Sequence, residues 1–168
     1  MTKLYLVRHG ETIDNARQVM QGQVQGQLND TGIRQAEEVR DRLTDECFDA
    51  FISSDLHRAV HTAEIIAAPH GMEVVTTPLL RERDWGDFTG RYIPSLKGEP
   101  WPDNVESLEH LLQRARSFLD FVRNGWPDGR VLAVGHGIVN KAIQAALRGV
   151  EMRHVEKMKN AEVRVLDI

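Results

Sequence analysis

Two histidines stand at the ends of apolar runs, and each is followed by glycine. Arg8-His9-Gly10 follows Leu4-Tyr5-Leu6-Val7, and Gly135-His136-Gly137 follows Val131-Leu132-Ala133-Val134. A third apolar run, Ala50-Phe51-Ile52, leads into Ser53-Ser54-Asp55 and then Arg58. Histidine beside arginine suits phosphoryl transfer. Imidazole is a nucleophile near neutral pH because its ordinary pKa is about 6.5. Attack on phosphorus gives a covalent phosphohistidine and divides one difficult displacement into two easier ones. The transferring group spreads charge over its oxygens, so the protein must supply fixed positive charge. Arginine does so through a planar fork of donors, which makes Arg8 and Arg58 the candidates. A protonated His136 can donate to the same oxygens. The departing oxygen needs a proton, and a carboxylic acid held in the pocket can give it. With these groups carrying the charge, the chemistry requires neither metal nor cofactor.

Such groups act together only if the fold gathers them. The apolar runs at Leu4–Val7, Ala50–Ile52, Glu73–Thr76 and Arg130–Val134 read as strands, and Ala161–Ile168 alternates as a last strand. Helical patterns lie between them. Ile33, Ala36, Val39 and Leu43 share one face, with Asn29 or Asp30 as cap. Leu56 to Ala68 favours helix, Leu108 to Val122 carries an amphipathic stripe, and Ile138 to Leu147 is short and apolar. Strands alternating with helices predict an α/β protein, a three-layer α/β/α sandwich around a mostly parallel sheet. Ligands bind such sheets beyond the carboxyl ends of the strands, where both histidines and both arginines fall. The segment from Gly86 to Glu106, rich in Gly, Pro and Trp, reads as a long loop or lid over that edge.

Composition narrows the class. The chain has 168 residues, 21 basic and 25 acidic side chains and a net charge of −4, which fits one domain over residues 1–168. No basic stripe predicts a nucleic-acid partner, and no apolar run is long enough to predict a membrane span. The start, Met1-Thr2-Lys3-Leu4, enters a strand pattern without a secretory leader, so the expected location is cytoplasmic. Cys47 is the single cysteine and lies beside an apolar run, so it is expected to be buried. His57 and His61 have a spacing that can bind metal, but no third ligand accompanies them, and no metal site is expected. His70, His110 and His154 read as solvated, and Glu151 to Lys159 as an exposed mixed-charge run.

Several segments, in order, resemble the histidine phosphatase superfamily, also called the phosphoglycerate mutase-like family. They are Leu4-Tyr5-Leu6-Val7-Arg8-His9-Gly10-Glu11-Thr12 with Asn15, then Gln21-Gly22 through Leu28, Gly32 and Gln35-Ala36. Ser53-Ser54-Asp55-Leu56 follows, with Arg58-Ala59 and Thr62-Ala63-Glu64. Next come Leu80-Arg81-Glu82-Arg83 with Gly86, Phe88 and Gly90, then Glu106-Ser107, and finally Val134-Gly135-His136-Gly137. Thr89 and Val105 depart from the pattern, which often has Glu and Gly there. The resemblance implies that His9 is the nucleophile, that Arg8, Arg58 and His136 form the phosphate pocket with Asn15, and that Glu82 is the proton donor. Only the resemblance singles out Glu82. It also implies that Arg83 touches substrate.

The expected activity is that of a metal-independent phosphoric monoester hydrolase, of the histidine acid phosphatase type. The expected partner is a small phosphorylated substrate or a phosphoprotein. Alternatives are a mutase-type phosphotransferase and a non-catalytic phosphate-binding protein. Arg91 to Val105 is short, and the chain stops soon after its last strand. The mutases of this family are longer, so hydrolysis is the expected reaction. Arg81, Arg83, Arg91 and Lys97 near the lid suggest a second anionic group on the substrate.

Overall fold

The computed structural model describes residues 1–168. Five strands form one sheet: β1 (Lys3–Arg8), β2 (Ala50–Ser53), β3 (Val74–Thr76), β4 (Arg130–Gly135) and β5 (Val163–Asp167). Their order is β3-β2-β4-β1-β5. All neighbours are parallel except β5, which runs antiparallel to β1. Strands covered on both faces must be apolar on both, and β1, β2 and β4 meet that demand with unbroken apolar runs.

Alternation along these strands divides the core into two layers. Leu4, Leu6, Ile52, Val131 and Ala133 face α4 (Leu108–Gly125) and α5 (Gly137–Arg148), packing with Leu111, Phe118, Val139 and Ile143. Tyr5, Val7, Phe51, Leu132 and Val134 face the other way, toward α2 (Asp30–Leu43) and α3 (His57–Ala67), packing with Val39, Ala59 and Ile66. The result is the expected sandwich. Asn29 caps α2 by accepting from the Gly32 N–H, and Ser107 caps α4 by accepting from the His110 N–H. No helix is long and apolar enough to cross a membrane.

One helix was not expected. The turn after His9 continues into α1 (Ile13–Arg17), where the Thr12 and Asn15 side chains cap one another's backbone N–H groups. Five residues are too few for a periodic signal, although the Thr-x-x-Asn spacing carries the cap. Two expectations about side chains require correction. Cys47 is exposed, because Phe48 takes the buried position at the start of the run. His70 is not solvated: its ring packs 5.5 Å from Phe48 and 5.0 Å from Phe51.

Candidate active site

Sheet register brings the histidines together. Arg8 pairs with Gly135 across β1 and β4, so the next residue of each strand leaves the sheet beside the other. The rings of His9 and His136 lie 5.0 Å apart, and the His9 N–H donates to the Gly135 carbonyl at 3.1 Å. Both side chains are buried. His9 Nδ1 lies 2.7 Å from the Gly10 carbonyl oxygen. A carbonyl only accepts, so Nδ1 carries the proton and Nε2 keeps its lone pair. Gly10 holds that carbonyl in place by pressing its backbone on the first turn of α2. A Cβ at Gly10 would overlap the Gly32 carbonyl, and the Gly10 N–H donates to Thr62 Oγ1 at 3.1 Å.

Arg58 emerges from the first turn of α3 and is 1% exposed. Its outer nitrogens donate to the Gly22 carbonyl at 2.7 Å, to Gln25 at 3.2 Å and to the Val24 carbonyl. Arg8 donates from Nη1 to the Met158 carbonyl at 2.8 Å. The Nε atoms of both arginines are buried without a hydrogen-bond partner. A buried unpaired donor costs about 1–3 kcal/mol, so two such donors beside His9 suit an anionic acceptor. Burial draws the Arg58 guanidinium down to about 10, against the opposing pull of Glu82 and Asp14.

Burial also holds His9 well below the ordinary histidine range, with Arg58 adding to the effect. His136 is lowered by the same two causes in the same order. Its Nε2 lies 2.7 Å from Ser54 Oγ. Both imidazoles are therefore neutral near pH 7, and His136 can donate as a cation only once an anion offsets the arginines.

A stability prediction follows from these shifts. Below about pH 6.5 the unfolded chain protonates these histidines while the folded chain resists, so stability falls as pH falls, by up to about 1.4 kcal/mol per pH unit for each. Above that pH they contribute no slope. His136→Asn is expected to lose about 1 kcal/mol less than wild type between about pH 7 and about pH 5.5, read from urea midpoints. Equal losses would contradict the assignment.

Glu82 also borders the cavity. Its Oε1 accepts from the Arg83 and Val139 N–H groups at 2.8 and 3.0 Å, and its Oε2 from the Ile138 N–H at 3.1 Å. Two of these donors belong to the first turn of α5. Asn15 also borders the cavity, with one Nδ2 hydrogen left over from its contacts. Oδ1 accepts from Thr12 N–H at 3.1 Å and Asn160 Nδ2 at 3.3 Å, and Nδ2 donates to Gln21 Oε1 at 3.2 Å.

Around these groups lies a cavity of about 180 Å³. Arg8, His9, Arg58 and Glu82 form its polar side, while Val19, Met20, Trp85, Ile93 and Ile138 supply an apolar side. His136 stands next to His9 and does not form part of this wall. The lid segment is laced to the chain after α1: Met20 N–H donates to Arg91 at 2.9 Å, Gly90 N–H to Met20 at 2.7 Å and Ile93 N–H to Gln18 at 2.8 Å. Trp101 packs on Trp85 and Phe88, with rings 5.6 and 5.8 Å apart.

Three of the four lid cations already have partners. Arg81 makes a two-pronged pair with Asp55 at 2.7 and 2.6 Å, and Arg91 pairs with Glu99 at 2.9 and 2.8 Å. Arg83 lies outside the cavity wall, its guanidinium 4.8 Å from the Trp85 ring and 5.2 Å from the Trp101 ring. His57 and His61 stack with centroids 5.6 Å apart, also outside that wall.

Sequence reasoning missed Lys157, which borders the cavity beside Arg8 and His9. The residue stays exposed, but desolvation where its stem passes the site lowers its pKa, and Arg8 adds to the shift. Its chain crosses Gly137, where a Cβ would stand 2.7 Å from Lys157 Cε and 3.4 Å from Arg8 Cζ. Topology was the available signal: β5 starts against Val7 at the carboxyl end of β1, so the connection before it must pass the site.

Fold and cavity together define an α/β protein with His9, Arg8, Arg58 and Glu82 gathered around one cavity at the carboxyl edge of the sheet. Residues 4–168 match the family described as the histidine phosphatase superfamily, branch 1. The chain belongs to that superfamily. It is 37% identical over 153 residues to an uncharacterized phosphatase, PhoE, of Bacillus subtilis, covering 89% of this chain and 79% of that protein. It is also 37% identical over 171 residues to a probable phosphoglycerate mutase, GpmB, of Photorhabdus laumondii, covering 94% of this chain and 79% of that one. Among solved structures, a mycobacterial glucosyl-3-phosphoglycerate phosphatase complexed with VO3 superposes with a TM-score of 0.89 at 28% identity, over 98% of this chain and 92% of that chain.

Proposed function

We propose that the chain is a metal-independent phosphoric monoester hydrolase acting through a phosphohistidine on His9. The observation that carries this reading is the His9 Nδ1 contact with the Gly10 carbonyl at 2.7 Å, which leaves Nε2 free to attack. In the first step the Nε2–phosphorus bond forms as the ester phosphorus–oxygen bond breaks. The proton of a neutral Glu82 carboxyl goes to the departing oxygen. Arg8 and Arg58 hold the charge on the phosphoryl oxygens, and His136, behind His9, adds positive charge once the anion favours its protonation. In the second step Glu82, now a carboxylate, takes a proton from water, which attacks phosphorus and releases inorganic phosphate and His9. Asn15 serves this pocket as a wall and as a brace for Gln21.

Names of relatives support hydrolysis, since they include an uncharacterized phosphatase and a glucosyl-3-phosphoglycerate phosphatase. The relatives named as probable mutases support a second reading, in which a substrate hydroxyl replaces water. A cavity of about 180 Å³ under a lid favours a small phosphorylated substrate over a phosphoprotein. The expected result with purified protein is release of inorganic phosphate from p-nitrophenyl phosphate with a chelator present. Failure to hydrolyse any phosphate ester would contradict the reading, and isomerisation of phosphoglycerate faster than hydrolysis would favour the mutase.

Lys157 has no ion-pair partner and borders the cavity. Lys157→Ala is expected to raise KM about tenfold, equal to about 1.4 kcal/mol, for esters whose leaving group carries a carboxylate. Esters with neutral leaving groups should keep their KM. Equal shifts in both would show that Lys157 reads the phosphoryl group instead.

A further inference from the structure

Glu82 lies on the segment from Pro78 to Asp84, which has little regular structure: only a short 3-10 turn at Pro78–Leu80. A carboxyl that must meet a leaving oxygen needs a fixed backbone, because misplacement by about 1 Å costs a rate on the order of 10²-fold. Behind this segment stands Arg114 of α4. Its guanidinium donates to the carbonyls of Leu79 at 3.0 Å, Arg81 at 2.8 Å and Glu82 at 3.3 Å. The same group forms a two-pronged pair with Glu106, at 2.9 Å to Oε2 and 2.8 Å to Oε1.

Glu106 holds the far end of the segment. Its Oε1 accepts from the Asp84 N–H at 3.0 Å, and its own N–H donates to the Asp84 carbonyl at 2.8 Å. Its carbonyl accepts from Arg83 Nε at 2.8 Å. The side chains of Arg114 and Glu106 are 14% and 5% exposed. Burial raises the Glu106 carboxyl, but Arg114, the Asp84 amide and His110 outweigh it and bring the group down to about 2. It is charged at any working pH, so the pair does not come apart by protonation. Neither residue lines the cavity.

We propose that the Arg114–Glu106 pair is a strut that positions Glu82 for proton transfer to the leaving group, acting through the backbone on both sides of it. This rests on the reading of Glu82 as proton donor. The strut has a signature that a general structural role lacks. Leaving groups differ in their need for a proton: p-nitrophenolate departs almost without one, whereas an alkoxide cannot. The ratio of kcat/KM for an alkyl phosphate to kcat/KM for p-nitrophenyl phosphate, measured in one sample, reports only the step in which the leaving group departs and is independent of how much protein is folded.

The experiment compares wild type, Arg114→Lys, Arg114→Met, Glu106→Gln and Glu82→Gln, with thermal melts alongside. The expected result is an alkyl-to-aryl ratio about tenfold lower in Arg114→Lys and Glu106→Gln, and lower still in Arg114→Met, while KM moves little. Glu82→Gln lowers the same ratio most. If Glu82→Gln lowers the ratio and the strut variants leave it unchanged, the strut is overturned while the proton-donor reading stands. A Glu82→Gln variant that also leaves the ratio unchanged would overturn both.

Discussion

His9→Ala is expected to lower kcat by about 10⁴-fold or more, equal to at least about 5.5 kcal/mol of transition-state stabilisation. The figure is large because no neighbour can substitute. His136 is the nearest imidazole, but its Nε2 is taken up by Ser54 at 2.7 Å, and it is absent from the cavity wall. Lys157 borders the cavity, yet it lacks a backbone contact like the one that orients His9. The arginines would still bind phosphate, so the variant should retain substrate affinity while losing turnover. Folding should survive, since the removed ring is held mainly by Gly10 and the wild-type imidazole is itself disfavoured by burial and by Arg58. Steady-state kinetics with a binding titration against inorganic phosphate checks both halves. Loss of binding together with turnover would point to a misfolded pocket.

Glu82→Gln is expected to lower kcat for alkyl phosphates by about 10²–10⁴-fold, the usual range for general acid catalysis. Glutamine keeps the size of the side chain but has no transferable acid proton. It also meets the backbone badly. The carboxylate satisfies Arg83, Ile138 and Val139 N–H groups with two oxygens, and an amide offers one oxygen and turns donors toward donors. Water attack on the phosphohistidine also needs Glu82, so kcat falls for every ester, but kcat/KM, which ends at leaving-group departure, should be spared in proportion to the acidity of the leaving group. Plotting log kcat/KM against leaving-group pKa for a series of esters tests this: the variant should give the steeper line. Parallel lines would remove Glu82 from proton transfer.

Much of this site was legible in the sequence because parallel-sheet architecture turns a local pattern into a position. An apolar run followed by Arg-His-Gly must place its histidine at the carboxyl edge, and β1 and β4 do so through the Arg8–Gly135 register. Arg58 was legible for the same reason, one turn into the helix after β2. Glu82 was not, because nothing local distinguishes one acid in a loop from the others. Its place depends on Arg114 and on the first turn of α5, which come 32 and 56 residues later. Lys157 was hidden by its surroundings, since a mixed-charge run reads as solvated until the antiparallel return of β5 draws it past the pocket. For Arg81, Arg83 and Arg91, sequence does not reveal that Asp55, two tryptophans and Glu99 already occupy them.

The stereochemical course at phosphorus tests the central claim most directly. A phosphorothioate ester made chiral with oxygen isotopes is hydrolysed by the enzyme in isotopically labelled water, and the configuration of the thiophosphate product is read. Transfer to His9 and then to water is two in-line displacements, each inverting, so the account predicts net retention. Net inversion would mean that water attacks the substrate directly, and it would contradict the phosphohistidine.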